Sequence, residues 1–194
     1  MTSYDPSVAL VVVDVQNDFA DPQGSLSVRG GIDVVRAVNA EVERAAAAGA
    51  PVLYTQDWHP ADTPHFAKDG GTWPVHCVQD TWGAQLHPDL EVRGEVVRKG
   101  EHGEDGYSGF TMRHPVTGAA VPTPLADRLR AAGVQRLVVL GLATDYCVRA
   151  TALEGRAQGW PVTVPWSAVA AVDVSPGDGE RTRQELLDAG VTVE

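Results

Sequence analysis

Four times along this chain, Ala- or Leu-rich helical text stops at a glycine and a β-branched run follows. Residues 45–48, Gly49 and Pro51-Val52-Leu53-Tyr54 form the first such junction. Residues 129–132, Gly133 and Leu137-Val138-Val139-Leu140 form the second. Gly159 then precedes Val162-Thr163-Val164, and Gly190 precedes Val191-Thr192-Val193. A glycine past a helix end takes the left-handed conformation that satisfies the last carbonyls, so each junction reads as a helix feeding a strand. The strands, Val8–Val13 and Val96-Val97 among them, are near-continuous apolar runs, the pattern of a parallel sheet covered on both faces. The spacing is too uneven for a solenoid. The expected architecture is a six-stranded, doubly wound, mainly parallel α/β sheet with helices on both faces. Thr123-Pro124 reads as the N-cap and first-turn proline of the helix holding Leu125 and Leu129.

At 194 residues the chain is expected to form one domain, residues 1–194, with no need of a disulfide or metal staple. Its net charge of −11 argues against nucleic acid or an anionic membrane as partner. No run approaches the ~18 apolar residues that span a bilayer. Met1-Thr2-Ser3-Tyr4-Asp5-Pro6 lacks the basic start of a secretory signal, so a cytoplasmic protein with free thiols at its two cysteines is expected. No glycine-rich fingerprint follows the first strand, which argues against the usual dinucleotide site.

Two stretches break the rhythm. Residues 57–93 are rich in proline, glycine and histidine, and a long loop inside a compact domain is often functional. Residues 100–121 are a second irregular stretch, suited to a lid.

In doubly wound sheets ligands bind beyond the carboxyl ends of the strands. Asp14 ends the first apolar run, Asp57 follows the second, Lys99 follows the third and Cys147 opens the helix after the fourth. Thr144 or Asp145 is a candidate cap for that helix, which would place Cys147 where the dipole favours thiolate. Taken alone, such a cysteine is more often a small buried hydrophobe, and such an aspartate more often a loop anchor. Lys99 is one of two lysines against thirteen arginines, and a chain so biased keeps lysine where a compact cation is useful. Asp57 and His59, two apart on extended backbone, face the same way and can share an ion; His65 and His76 can fold back to join them. A carboxylate with imidazoles suits one divalent Zn, Fe or Mn ion and leaves open positions. His87, His102 and His114 read as surface residues, Cys77 as structural, and Asp18 as a loop anchor.

With these residues in place the chain resembles the nicotinamidase (pyrazinamidase) branch of the isochorismatase-like cysteine hydrolases over nearly its whole length. The matching text is residues 13–19 (Val-Asp-Val-Gln-Asn-Asp-Phe), Asp57-Trp58-His59, Trp73-Pro74-Val75-His76-Cys77, Lys99-Gly100, Tyr107-Ser108-Gly109-Phe110 and residues 141–148 (Gly-Leu-Ala-Thr-Asp-Tyr-Cys-Val). The resemblance implies a catalytic triad of Asp14, Lys99 and Cys147, and a metal held by Asp57, His59 and His76 with His65 as a fourth ligand. It implies a cis peptide at Leu142–Ala143 and an oxyanion hole from the backbone N–H groups of Ala143 and Cys147. Phe19, Trp73 and Tyr107 match pocket-lining aromatics, with Leu142 and Tyr146 as further walls. The implied substrate is a small aromatic carboxamide, nicotinamide, cleaved to nicotinate and ammonia through a thioester. Two other readings stand beside this one: a metal-free relative acting on carbamoyl or ureido substrates, and a non-catalytic α/β metal-binding module.

Overall fold

The protein is described from a computed structural model covering residues 2–194. Strand β1 (Val8–Val13) is buried at every position and is flanked by β2 (Val52–Asp57) and β6 (Arg136–Leu142), both parallel to it. Two covered faces and two paired edges leave no place for a polar side chain, which explains the unbroken aliphatic run. Beyond β2 lies β3 (Glu95–Lys99); beyond β6 lie β7 (Val162–Val164) and β9 (Thr192–Val193). The order β3-β2-β1-β6-β7-β9 contains the six expected strands, all parallel, and the two-residue strand β8 (Val169–Ala170) adds a seventh by pairing with the end of β6. A separate antiparallel hairpin, β4 (Thr111–Arg113) with β5 (Ala120–Pro122), lies inside the irregular stretch after β3.

Alternate residues of β1 feed two cores. Val8, Leu10 and Val12 pack with Val34, Val35, Val38 and Val42 of helix α2 (Gly31–Ala47), which follows the short helix α1 (Asn17–Ala20). Ala9, Val11 and Val13 pack with Leu125 and Leu129 of α3 (Leu125–Ala131), Ala152 of α4 (Arg149–Ala157) and Leu186 of α5 (Asp178–Asp188). Junction glycines Gly49 and Gly133 have φ of 69° and 70°, as their place after a helix requires. Thr123 Oγ1 accepts the Leu125 N–H at 3.2 Å and so caps α3. Sequence order runs outward from β1 on one side and outward from β6 on the other. Their carboxyl ends are therefore the switch point where such folds bind ligands.

Strands β2 and β3 are longer than their apolar text. β2 continues through Thr55, Gln56 and Asp57, all buried, and β3 ends on Lys99, also buried. Polar side chains at a buried strand end need partners, and here they find one another.

Candidate active site

Parallel register sets Asp57 directly beside Lys99, and Val13, the residue before Asp14, beside Gly141 at the end of β6. Lys99 Nζ lies 2.8 Å from Asp14 Oδ2 and 2.5 Å from Asp57 Oδ1, and donates to Cys147 Sγ at 3.7 Å. Ligand atoms of Asp14, Asp57 and Cys147 all fall within 4.8 Å of one another. Lys99 is 1% exposed and Asp14 fully buried, so this is an interior ion cluster, whereas the other lysine, Lys68, pairs with Asp62 and Asp69 at the surface. Asp14 has φ of 48°, in the left-handed region, and Thr55 Oγ1 donates to its Oδ1 at 2.6 Å.

Burial pushes the Asp14 carboxyl above its ordinary range, against the pull of Lys99. Burial works the same way on Asp57, but Lys99, His59 and His76 outweigh it and hold that carboxyl at about 2. Burial would lower Lys99, yet its two carboxylates raise it well above the usual lysine range, so it stays a cation. The Cys147 thiol is pushed well above its ordinary value, by burial first and by Asp14 and Asp57 against Lys99. This corrects the expectation of a thiolate at a helix start. Residues Thr144–Val148 form one wide π-type turn ahead of α4, and neither Thr144 nor Asp145 caps it. Asp145 instead accepts the Val172 and Asp173 N–H groups, each at 2.9 Å. The resting sulfur is a thiol beside a carboxylate of raised basicity.

The Leu142–Ala143 peptide is cis. The Ala143 N–H has no hydrogen-bond partner among the described residues. Cys147 and Ala143 line a cleft at the carboxyl ends of the strands. Phe19, Trp73, Tyr107 and Tyr146 wall it, together with Leu26 and Val172. Trp73 Nε1 donates to Tyr107 Oη at 3.0 Å, and the Trp73 and Tyr146 rings meet edge to face at 4.8 Å. Leu142 does not reach the cleft; it is fully buried in the core under α2.

His65 and His76 border the same cleft, and their ring nitrogens cluster with those of His59 within 4.8 Å. Asp57 stands between the two groups, with Oδ1 3.9 Å from His59 Nε2. Both nitrogens of buried His59 lack a hydrogen-bond partner among the described residues. Such orphaned ring nitrogens are costly unless something binds them. His76 Nδ1 is engaged by the Pro74 carbonyl at 2.7 Å and His65 Nδ1 by Asp105 Oδ1 at 2.8 Å, which leaves the Nε2 atoms free. Burial lowers His59 to about 4 and lowers His76 too, so both are neutral near pH 7, the form that binds metal. The donor set fits a divalent transition metal ion.

Glycine is required at position 100. Its φ is 82°, and an added Cβ would stand 2.7 Å from His59 Nδ1. Gly100→Ala is expected to destabilise the fold by at least about 1–2 kcal/mol and to displace the His59 ring. A denaturant midpoint and a metal titration measure the two effects.

Gln16, Thr55 and Asp105 are not among the site residues expected from the sequence. The Gln16 amide donates to the Asp57 carbonyl and accepts the Asp57 N–H, each at 2.8 Å, clamping the strand end. The polar tail of β2 was a usable signal for Thr55; Leu26 and Val172 reach the cleft only through tertiary packing. Asp18 is a loop anchor: its carboxylate takes the Ser25 N–H at 2.9 Å and the Cys77 N–H at 2.7 Å, and Cys77 is fully buried. His87 is buried rather than exposed, its Nδ1 accepting the Asp89 N–H at 3.2 Å.

The Isochorismatase domain family matches residues 8–180. The nicotinamidase of Escherichia coli is 36% identical, over 97% of this chain and 94% of its own length. Two crystal structures share the fold closely. PnC1 from L. infantum in complex with nicotinate has a TM-score of 0.88 and 36% identity, over 100% of this chain and 95% of its own. The pyrazinamidase of Pyrococcus horikoshii in complex with zinc has a TM-score of 0.86 and 37% identity, over 97% and 99%. The chain thus belongs to the isochorismatase family. Within that family the chain stands with the nicotinamidase/pyrazinamidase group.

Proposed function

We propose that this protein hydrolyses nicotinamide to nicotinate and ammonia, a step of NAD salvage, and that pyrazinamide is a further substrate. One observation carries the reading: the buried Asp14–Lys99–Cys147 cluster opens on an aromatic cleft bordered by His65 and His76, two of the three clustered histidines. A flat heteroaromatic amide suits such a cleft, with its ring among Phe19, Trp73 and Tyr107 and its carboxamide at Cys147.

Asp14 takes the thiol proton as Cys147 Sγ attacks the amide carbon. Lys99 keeps its proton and offsets the charge that Asp14 and the sulfur exchange. The N–H groups of Ala143 and Cys147 hold the oxyanion. Asp14 returns its proton to the amine, ammonia leaves and a thioester remains. Asp14 then takes a proton from a water that attacks the thioester, and nicotinate departs with the thiol restored. His59, His65 and His76, with Asp57, would hold the metal ion, which supplies Lewis acidity beside the cleft. We assign zinc, iron or manganese to that site from its imidazole-rich donors. We assign the activity to the cytoplasm, a compartment that keeps a nucleophilic thiol reduced.

Ammonia release from nicotinamide tests the reading. Chelator treatment is expected to lower it at least tenfold, and added zinc, iron or manganese to restore it. Full activity on ureido substrates with none on nicotinamide, indifferent to chelator, would instead support a metal-free hydrolase.

A further inference from the structure

His65 differs from the other two histidines of the cluster in where it stands. His59 and His76 are enclosed, 2% and 3% exposed, whereas His65 is 8% exposed and also lines a groove on the far side of the cleft wall. Its backbone belongs to a loop without regular structure, between Asp57 and the short helical turn Ala67–Asp69. A ligand so placed can turn away unless something fixes its ring. Stacking on His59, with centroids 4.7 Å apart, constrains the ring plane but leaves open which nitrogen faces the cluster.

Asp105 settles that choice. Its Oδ1 lies 2.8 Å from His65 Nδ1, and a carboxylate only accepts, so Nδ1 carries the hydrogen and Nε2 presents its lone pair. Asp105 is itself fixed twice. Its Oδ2 pairs with Arg113 Nη2 at 2.8 Å, and its backbone exchanges two hydrogen bonds with Arg113, at 2.9 and 2.5 Å. Arg113 ends β4, so the β4–β5 hairpin holds the carboxylate that holds the histidine.

We propose that Asp105 is a positioning residue for metal binding, fixing His65 as a ligand, and that the hairpin serves as the strut behind it. The inference rests on reading the histidine cluster as a metal site. Carboxylates that accept from ligand histidines typically change metal affinity by about 10- to 100-fold.

The test is zinc affinity, measured on the purified full chain, stripped and then titrated with Zn²⁺ alone against a competing chromophoric chelator. Asp105→Ala is expected to weaken binding by about 10- to 100-fold. Asp105→Asn is expected to lose less, because its amide oxygen still accepts from Nδ1, and it keeps the test alive if the alanine variant folds poorly. In a His65→Ala background, Asp105→Ala should bring no further loss. An unchanged affinity in Asp105→Ala would overturn the proposal. An equal loss with and without His65 would do so as well, by showing a merely structural role. Absence of zinc binding by the unsubstituted chain would overturn the metal-site reading itself, whatever the variants do.

Discussion

Replacing Cys147 by alanine is expected to cut ammonia release from nicotinamide by on the order of 10⁴-fold or more while leaving the fold intact. The sulfur lines the cleft, while of its polar neighbours Asp14 and Lys99 are locked in an ion pair and Thr55 donates to Asp14. Loss of one sulfur atom beside open space costs little packing, so thermal unfolding should move by a few degrees at most. Serine would not rescue. A thiol already pushed up by burial gives its proton to Asp14 with difficulty, and a hydroxyl is a far weaker acid. Activity of Cys147→Ala within tenfold of the parent in a coupled ammonia assay would sink the proposed chemistry.

Lys99→Met carries the largest expected loss of stability. The ammonium sits between two carboxylates in a site with almost no water contact, and methionine fills its volume without its charge. Removing one partner of a buried ion cluster costs about 3–5 kcal/mol, because the charges left behind have no compensation. In a chain of this size that is roughly a 6–20 °C fall in Tm. The pH dependence has a definite sign. Asp14 already has a raised carboxyl, and without the pull of Lys99 it would rise further above its unfolded value. The native state then binds more protons than the unfolded one, so the variant should regain stability as pH falls from neutral towards about 5. A variant that loses the same stability at every pH would show that Lys99 contributes packing rather than charge. Activity should vanish along with stability, since the charge exchanged between sulfur and Asp14 would have no counter-ion.

The sheet was legible because its strands are covered on both faces, and that burial writes itself into uninterrupted aliphatic text at Val8–Val13 and at residues 137–140. The ends of β2 and β3 were not, since Thr55, Gln56 and Asp57 are buried by partnership with other polar groups rather than by apolarity. Asp14, Lys99 and Cys147 could be read as a group because each ends or follows an apolar run, and a parallel sheet brings such ends together. Cys147's acidity was misread from local sequence. The dipole at a helix start is a local effect, whereas burial and two neighbouring carboxylates are tertiary. The resemblance implies Leu142 as a wall of the cleft, yet its side chain enters the core instead. Asp105 left no trace at all: one acidic residue in a glycine-punctuated stretch gains meaning only when a hairpin folds it against His65.

The register pair of Asp57 and Lys99 has a consequence for redesign. Two neighbouring parallel strands present the carboxylate that stands beside the histidine cluster and the cation that stands beside Cys147 side by side, 2.5 Å apart. The two centres are therefore not interchangeable modules. A loop transplant that discards the histidines must still keep an anion at position 57, or Lys99 loses half of its neutralisation and the nucleophile's surroundings change with it. In the metal-stripped chain, exchange of His59 or His76 is electrically silent near neutrality, because their buried rings are held neutral. An engineer could thus prune the imidazoles step by step, while the carboxylate among them stays tied to the catalytic machinery next door.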